Sequence, residues 1–504
     1  MGAAILTKTG NAGEAAARGP LIRPERYAFF DKLLFAVFVL AVPPFIASNW
    51  SVFRDGDVSW HVAAGRWILE HGRVPKTDPF SFTMAGQPWV AHEWLPEVAF
   101  ALGFDLAGHA GLAAVVGLVL MALFAVAFAF LRRRVGPIAM LVAFASLYAV
   151  LQPFIMARPH VFAWAFLAGW TSVLLASRDA GRPPPWALVG LMFVWANVHA
   201  SFFIGFVVAA CVALDACIDA RWSRPVVVRW FLFGLASLAA SLLNANGLPG
   251  FLHPFMISGM DSLHAIGEWR PSTPRATPLF YGILLAALAG VLLRRPQFRI
   301  GEVLLLVVTL GLAFTHIRHQ SVFMILAVLI VTPKFAGEGR RSAGPLFASV
   351  GERRAWIAAA IVAGLAISAV PSAIPIRPRE TFANPSGLIA HIPESLKNQP
   401  VLNEYSMGGP LILSGIKVFI DGRADMYGDA FVSDYLKIIE ADVPVFDRAV
   451  CKYGIRWTML QADNPMLKVL DSSSAWKRIY SDKVGVIHVR TAPLPPRCRQ
   501  DAER

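Results

Sequence analysis

Phe30–Asn49 reads FDKLLFAVFVLAVPPFIASN, and one tryptophan later Ser51–His61 reads SVFRDGDVSWH. The first stretch is about as long and apolar as a membrane-crossing helix must be, roughly 20 residues. The second sets two carboxylates, Asp55 and Asp57, and the imidazole of His61 just beyond that span. Ionisable groups at a membrane boundary are costly to keep, so their presence there points to chemistry. His61, Asp78, His92 and Glu93 share the same loop.

The rest of the chain repeats the apolar theme. Of 504 residues, 56% are hydrophobic and only 16% charged, and mean hydropathy is +0.54. A soluble protein of this size carries nearer a quarter charged residues, so the deficit calls for many spans. Net charge is +13, from 46 basic and 33 acidic residues. In a soluble protein that excess would suggest nucleic acid; here its distribution among loops matters more. The four cysteines, Cys211, Cys217, Cys451 and Cys498, have no metal-ligand spacing. The first two lie in an apolar stretch, and the last two can pair if their domain lies outside the cytoplasm.

Apolar windows predict about eleven spans, near 30–49, 109–131, 137–156, 160–177, 185–199, 203–219, 227–243, 278–293, 301–316, 319–333 and 356–374. The first follows a polar, basic leader and has no small-residue cleavage site, so it reads as an uncleaved helix. With the N-terminus inside, the basic connections all fall on the cytoplasmic side: Arg132-Arg133-Arg134, Arg178 with Arg182, Arg221 with Arg224, Arg294-Arg295 with Arg299, and Lys334 to Arg354. The 51–95 loop, with four basic and five acidic residues, suits the outer side. An odd number of spans puts 375–504 there too.

The expected architecture is therefore a polytopic α-helical membrane domain over 1–374, whose outer loop 50–108 carries the acidic motif, and an extracytoplasmic domain over 375–504. Pro371, Pro375, Pro378 and Pro385 stiffen the exit from the membrane. Beyond them, β-like runs at 417–420, 456–460 and 484–489 alternate with amphipathic stretches at 431–440, 446–453 and 465–470, which predicts a small α/β domain. It has neither a glycine-rich phosphate loop nor a nucleophile elbow.

Within the first loop, residues 58–71 read as a helix with Trp60, Ala64, Trp67 and Ile68 on one face. Asp57 at its start can simply cap it. Asp57 and His61 also stand four apart, on one side, a spacing that suits a shared metal ion or a carboxylate that fixes an imidazole tautomer. Asp78 precedes Pro79 and suits a turn. His92-Glu93-Trp94 opens an amphipathic helix along the membrane surface. The tryptophans of this loop suit interfacial anchoring, and their faces can also stack on sugar rings.

These motifs carry a resemblance. Asp55-x-Asp57-x-x-Trp60-His61, Gly65-Arg66-Trp67-Ile68, Asp78-Pro79-Phe80-Ser81-Phe82 and Trp89-x-x-His92-Glu93-Trp94-Leu95 are similar to those of a group of bacterial multi-pass proteins. So are Asn197-x-His199, Glu268-Trp269-x-Pro271 and the tail segment Phe419-Ile420-Asp421-Gly422-Arg423-Ala424-Asp425. The chain thereby resembles the GT-C superfamily of membrane glycosyltransferases, which includes oligosaccharyltransferases, protein O-mannosyltransferases and aminoarabinose transferases. The resemblance implies sugar transfer from a polyprenyl-phosphate-linked donor at the outer face of the bacterial cytoplasmic membrane. It implies Asp57, then Asp55, as the catalytic carboxylates. A carboxylate can take the acceptor's proton while a cation offsets the leaving phosphate. That cation is Mg²⁺ or Mn²⁺, for which Asp57 and His61 are the candidate ligands, or arginines alone.

Other polar residues in apolar surroundings complete the expected substrate site: Arg158, His199 and Arg318 at span ends, Glu268 in the long 244–277 loop, and His61, Asp78, His92 and Glu93 in the first loop. Each can also be an interfacial residue whose charge reaches water. Asp421, Arg423 and Asp425 either pair among themselves or meet the 51–95 loop from above. Two other classes compete with a transferase, a transporter or flippase and a non-catalytic assembly protein for envelope polysaccharide. A transporter should show paired repeats and broken helices, and only Pro43-Pro44 breaks a span conspicuously.

Overall fold

The computed structural model of the chain describes residues 24–261, 267–335, 349, 351, 354, 358, 379–494 and 498. Among the described residues, seven helices are long and apolar enough to cross a membrane: Phe29–Ala47, Trp94–Leu131, Pro137–Phe154, His160–Asp179, Phe202–Asp219, Arg224–Leu242 and Ile317–Phe335. Pro278–Arg294 and Ile300–Thr315 are apolar but shorter. The chain is a multi-pass membrane protein. The predicted 185–199 span is helical only over the ten residues Ala187–Ala196. The eleventh predicted span, 356–374, lies outside the described residues except for residue 358, as do Pro371, Pro375, Pro378 and His264.

Two helices depart from regularity where the sequence says they must. The first passes through a π-helical turn, Ala36–Ala41, before Pro43 and Pro44, which lack the N–H that a regular ladder needs. The 38-residue helix Trp94–Leu131 bends at Ala107 and at Gly108, whose φ of 56° is a glycine conformation. Its 94–106 arm is the predicted amphipathic surface helix, and the span proper begins beyond the bend.

Lipid-facing positions such as Ile138, Phe231 and Leu293 are exposed, while Trp170, Trp195 and Phe202 are buried between helices. With apolar solvent outside, helices associate through close packing and internal hydrogen bonds. Trp170 illustrates both: it stacks on Phe233, centroids 5.5 Å apart, and donates its indole N–H to the Gly205 carbonyl at 2.8 Å. At one end of the bundle Arg178 is buried between Asp215 and Glu302, at 2.9 Å from each, and Lys334 reaches Glu302 at 2.6 Å. This group clamps three helices together.

The first loop and the tail domain share the opposite end. The helix Asp57–His71 begins where the Asp55 carboxylate accepts the Asp57 N–H at 3.0 Å, and ends on Gly72 at a φ of 63°. Asp55 thus accepts the first N–H of the helix, and the Asp57 carboxylate meets Arg158 instead. The helix crosses the 94–106 arm at Gly65, where a side chain would run into the Glu97 carbonyl.

The tail is an α/β domain built on a four-stranded sheet of order β1-β2-β4-β3. The strands are β1 Val401–Asn403, β2 Trp457–Gln461, β3 Trp476–Ser481 and β4 Gly485–Arg490. Only β1 and β2 run parallel. The predicted strand at 417–420 does not join this sheet. Val418 instead bridges to the first loop, donating to the Phe80 carbonyl and accepting from Phe82 N–H, both at 3.2 Å. Helices Ala424–Ile439, Val443–Tyr453 and Met466–Ser472 lie near their predicted positions, and Cys451 is joined to Cys498 by a disulfide.

Candidate active site

Arg158 stands at the centre of the carboxylate end, between the helix pair Pro137–Leu151 and His160–Asp179. Its guanidinium lies 3.0 Å from Asp55, 3.2 Å from Asp57 and 3.4 Å from Glu268. Arg318 holds the other Glu268 oxygen at 3.3 Å and lies over the Trp269 ring, 4.6 Å from its centroid. Asp55, Asp57, Arg158, Glu268 and Arg318, from four separate parts of the chain, thus form one ionic chain.

Glu93 forms a second group. His199, His92 and His61 turn their Nε2 atoms towards it at 3.4, 3.7 and 4.0 Å. The Ser201 N–H donates to His199 Nδ1 at 3.0 Å, so a neutral His199 carries its proton on Nε2, facing Glu93. His61 Nδ1 lies 3.2 Å from Glu97. The long loop is tied in as well: Asn197 accepts from Trp94 and from the Ala245 N–H, both at 2.9 Å, and Asn246 donates to the Ala91 carbonyl at 3.0 Å.

Burial sets the electrostatics. Asp57 is pushed up to about 7 by desolvation and then by Asp55, against the pull of Arg158. Burial lifts Glu93 to about 8, although Arg158 and Arg318 oppose it. Glu268 is also desolvated, yet Arg158 and Arg318 outweigh this and hold it at about 2. Burial holds His92 at about 4, and His61 and His199 well below the usual imidazole value. At neutral pH the site contains one firmly anionic carboxylate clamped on two arginines, beside a second carboxyl poised to gain or lose a proton.

The tail domain closes over this arrangement. Asp421 and Arg423 form a doubly bonded pair, at 2.8 and 2.7 Å, and Arg423 reaches Asp78 at 2.7 Å. The guanidinium also lies 4.6 Å from the Trp89 ring centroid. Of the two expectations for this motif, contact with the first loop therefore holds together with internal pairing. Asp78, expected among the substrate-binding residues, is drawn away from that group. It is buried, accepts from the Phe80 and Ser81 N–H groups at 3.0 Å each, and offsets Arg423. Gly422 packs directly on the Asp57 carboxylate, and Asp425 faces His253 at 3.5 Å. Gly422 carried no signal in the sequence that it approaches Asp57.

Of the predicted metal pair, Asp57 faces Arg158 while His61 faces Glu97 and Glu93. Among the described residues no group of three or more His, Cys, Asp or Glu side chains is placed to hold a cation. In this arrangement both aspartates meet a guanidinium, and no step below is routed through an ion.

The helical bundle capped by a sheet domain is similar in fold to a solved multi-pass membrane protein. Archaeal oligosaccharyltransferase AglB from Archaeoglobus fulgidus, solved in complex with an inhibitory peptide and a dolichol-phosphate, superposes with a TM-score of 0.51 at 9% identity. The match covers 87% of this chain and 69% of that one. ArnT from Cupriavidus metallidurans bound to undecaprenyl phosphate aligns over 92% of this chain and 98% of its own, at 14% identity and a TM-score of 0.49. No protein-family model matches the chain, and no curated protein matches it by sequence.

Proposed function

We propose that the chain is a membrane glycosyltransferase that moves a sugar from a polyprenyl-phosphate-linked donor to an acceptor on the periplasmic face of the cytoplasmic membrane. The observation that carries this reading is the Arg158 guanidinium, which bridges the Asp55–Asp57 pair to Glu268 and Arg318. A potential base and two phosphate-binding cations thus adjoin one another. The GT-C fold, the basic residues at the other end of the spans and the Cys451–Cys498 disulfide support the assignment and the orientation.

In this reading, ionised Asp57 accepts the proton of an acceptor O–H as that oxygen bonds to the anomeric carbon. The bond from the anomeric carbon to the donor's phosphate oxygen breaks, and its electron pair leaves with the phosphate. Arg158 and Arg318 meet the charge that develops there. Asp55 orients Arg158 and starts the helix that carries Asp57, while Glu268 holds the two guanidiniums side by side until phosphate arrives. His61, His92, His199 and Glu93 line the polar wall that faces the sugar.

The test is to purify wild-type, Asp57→Asn and Arg158→Ala protein from membranes and identify the co-purifying lipid by mass spectrometry. Wild-type and Asp57→Asn protein should both retain a polyprenyl-phosphate sugar, only the wild type should transfer it, and Arg158→Ala should retain none. Wild-type protein that holds no such lipid, or Asp57→Asn protein with full transfer, would sink the reading.

A further inference from the structure

On the far side of the Asp57–His71 helix lies a second hollow, about 310 Å³ in volume, formed where the tail domain meets the ends of two spans. That volume falls at the lower end of ligand-binding cavities, roughly 300–1,000 Å³. Val58 and Ser59, the two residues that follow Asp57, line it on one side. The proposed transfer uses none of its residues.

Its walls have a consistent chemistry. One is aromatic: Trp50, Phe53 and His109 stand with ring centroids 5.1 to 5.3 Å apart. Trp50 follows the first span and His109 follows the bend at Gly108, so this wall sits where the spans end. The opposite wall carries the hydroxyls of Ser386 and Ser414 and the amide of Asn384. Ser414 donates its proton to the Pro410 carbonyl at 2.9 Å, and Asn384 donates to the Arg379 carbonyl at 3.2 Å. The oxygens of both side chains still have lone pairs to offer a ligand.

This combination selects a ligand class. Among the described residues no lysine or arginine lines the hollow, and the nearby Glu380 carboxylate is already engaged by Ser386, so a charged headgroup finds no free counter-charge there. An acyl chain would set the spare lone pairs of the serine and asparagine oxygens against apolar groups. A sugar ring suits both walls, with its C–H face against the aromatic rings and its hydroxyls donating to serine and asparagine oxygens. We propose that this hollow is a second carbohydrate site that binds an uncharged sugar ring independently of the Asp57–Arg158 centre. The inference does not rest on the transfer reaction and stands or falls without it.

The experiment uses full-length protein in phospholipid nanodiscs free of sugar detergent, with hexyl β-D-glucoside as probe and hexyl phosphate and hexanol as comparators. Saturation-transfer NMR should show magnetisation reaching the glucoside ring protons in wild-type and Asp57→Asn protein alike. Ser414→Trp, which fills the hollow, should abolish that signal. Asn384→Leu, which removes one hydrogen bond, should weaken affinity by about fivefold to tenfold. Ser414 is exposed and Asn384 only half-buried, so a variant that fails to fold leaves another to decide the matter. Absence of ring signal in the wild type, an unchanged signal in the hollow variants, loss confined to Asp57→Asn, or equal competition by hexyl phosphate would each overturn the proposal.

Discussion

Gly422 of the tail domain lies so close to Asp57 that a methyl group added at position 422 would overlap the Asp57 carboxylate. The overlap is relieved only if that carboxylate turns away, out of its contact with Arg158. The tail domain thus forms one wall of the carboxylate's place, although the two residues are far apart in sequence.

Gly422→Ala should consequently lower turnover by about a hundredfold or more, the usual consequence of displacing a reacting group by about an ångström. Donor lipid should still co-purify, because Arg158 and Arg318 are untouched. Transfer assays alongside lipid analysis check both parts, and a Gly422→Ala enzyme with normal turnover would show that the contact is dispensable.

The pH dependence follows from Asp57. It must be ionised to accept a proton and is held at about 7, so activity should rise with pH through that region. The stability effect has the opposite sign. A carboxyl whose folded value is raised keeps its proton in the folded state while the unfolded chain has lost it, so stability falls between about pH 4 and about pH 7 and is level above that. Asp57→Asn should thus be inactive at every pH, and its Tm advantage over the wild type should widen from about pH 4 to about pH 7 and then hold constant.

Arg318 and Asp57 should separate kinetically. Arg318→Ala removes a charge-assisted contact to the donor phosphate, worth about 1.5–3 kcal/mol, and should raise the donor KM by roughly 10- to 100-fold. Asp57→Asn should lower kcat with little change in KM. A split in the reverse direction would exchange the two roles.

Arg423 is buried with Asp421 and Asp78. Arg423→Ala leaves two buried carboxylates without their counter-charge and should destabilise the protein by about 3–5 kcal/mol. Arg423→Lys should rescue little of this, since a single ammonium cannot reproduce the forked contacts to Asp421 and Asp78. Thermal melts of the purified variants measure both effects.

The spans were legible because apolar length is a local property, and the bend at Gly108 lies where the amphipathic arm gives way to the uniformly apolar stretch. Asp55 and Asp57 stood out because charge beside a span is conspicuous. Their partners were harder to assign, because Arg158, Glu268 and Arg318 come together only when several helices pack, and no spacing rule connects them. Asp78 misled for a related reason: a carboxylate in a loop looks the same whether it faces substrate or offsets a buried arginine. The 417–420 run has the composition of a strand, but its pairing partner lies in the first loop, and local sequence does not name partners. The strands at Val401–Asn403 and Trp476–Ser481 went unread because the first is very short and the second is an edge strand rich in polar residues.

The bridge between Val418 and the Phe80–Phe82 segment means that part of the tail's backbone is satisfied by the first loop. Neither piece is a free-standing module. A chimaera that borrows only the tail from a related protein would leave unpaired amide groups on both sides of the seam, so grafts should succeed only when residues near 80 travel with those near 418.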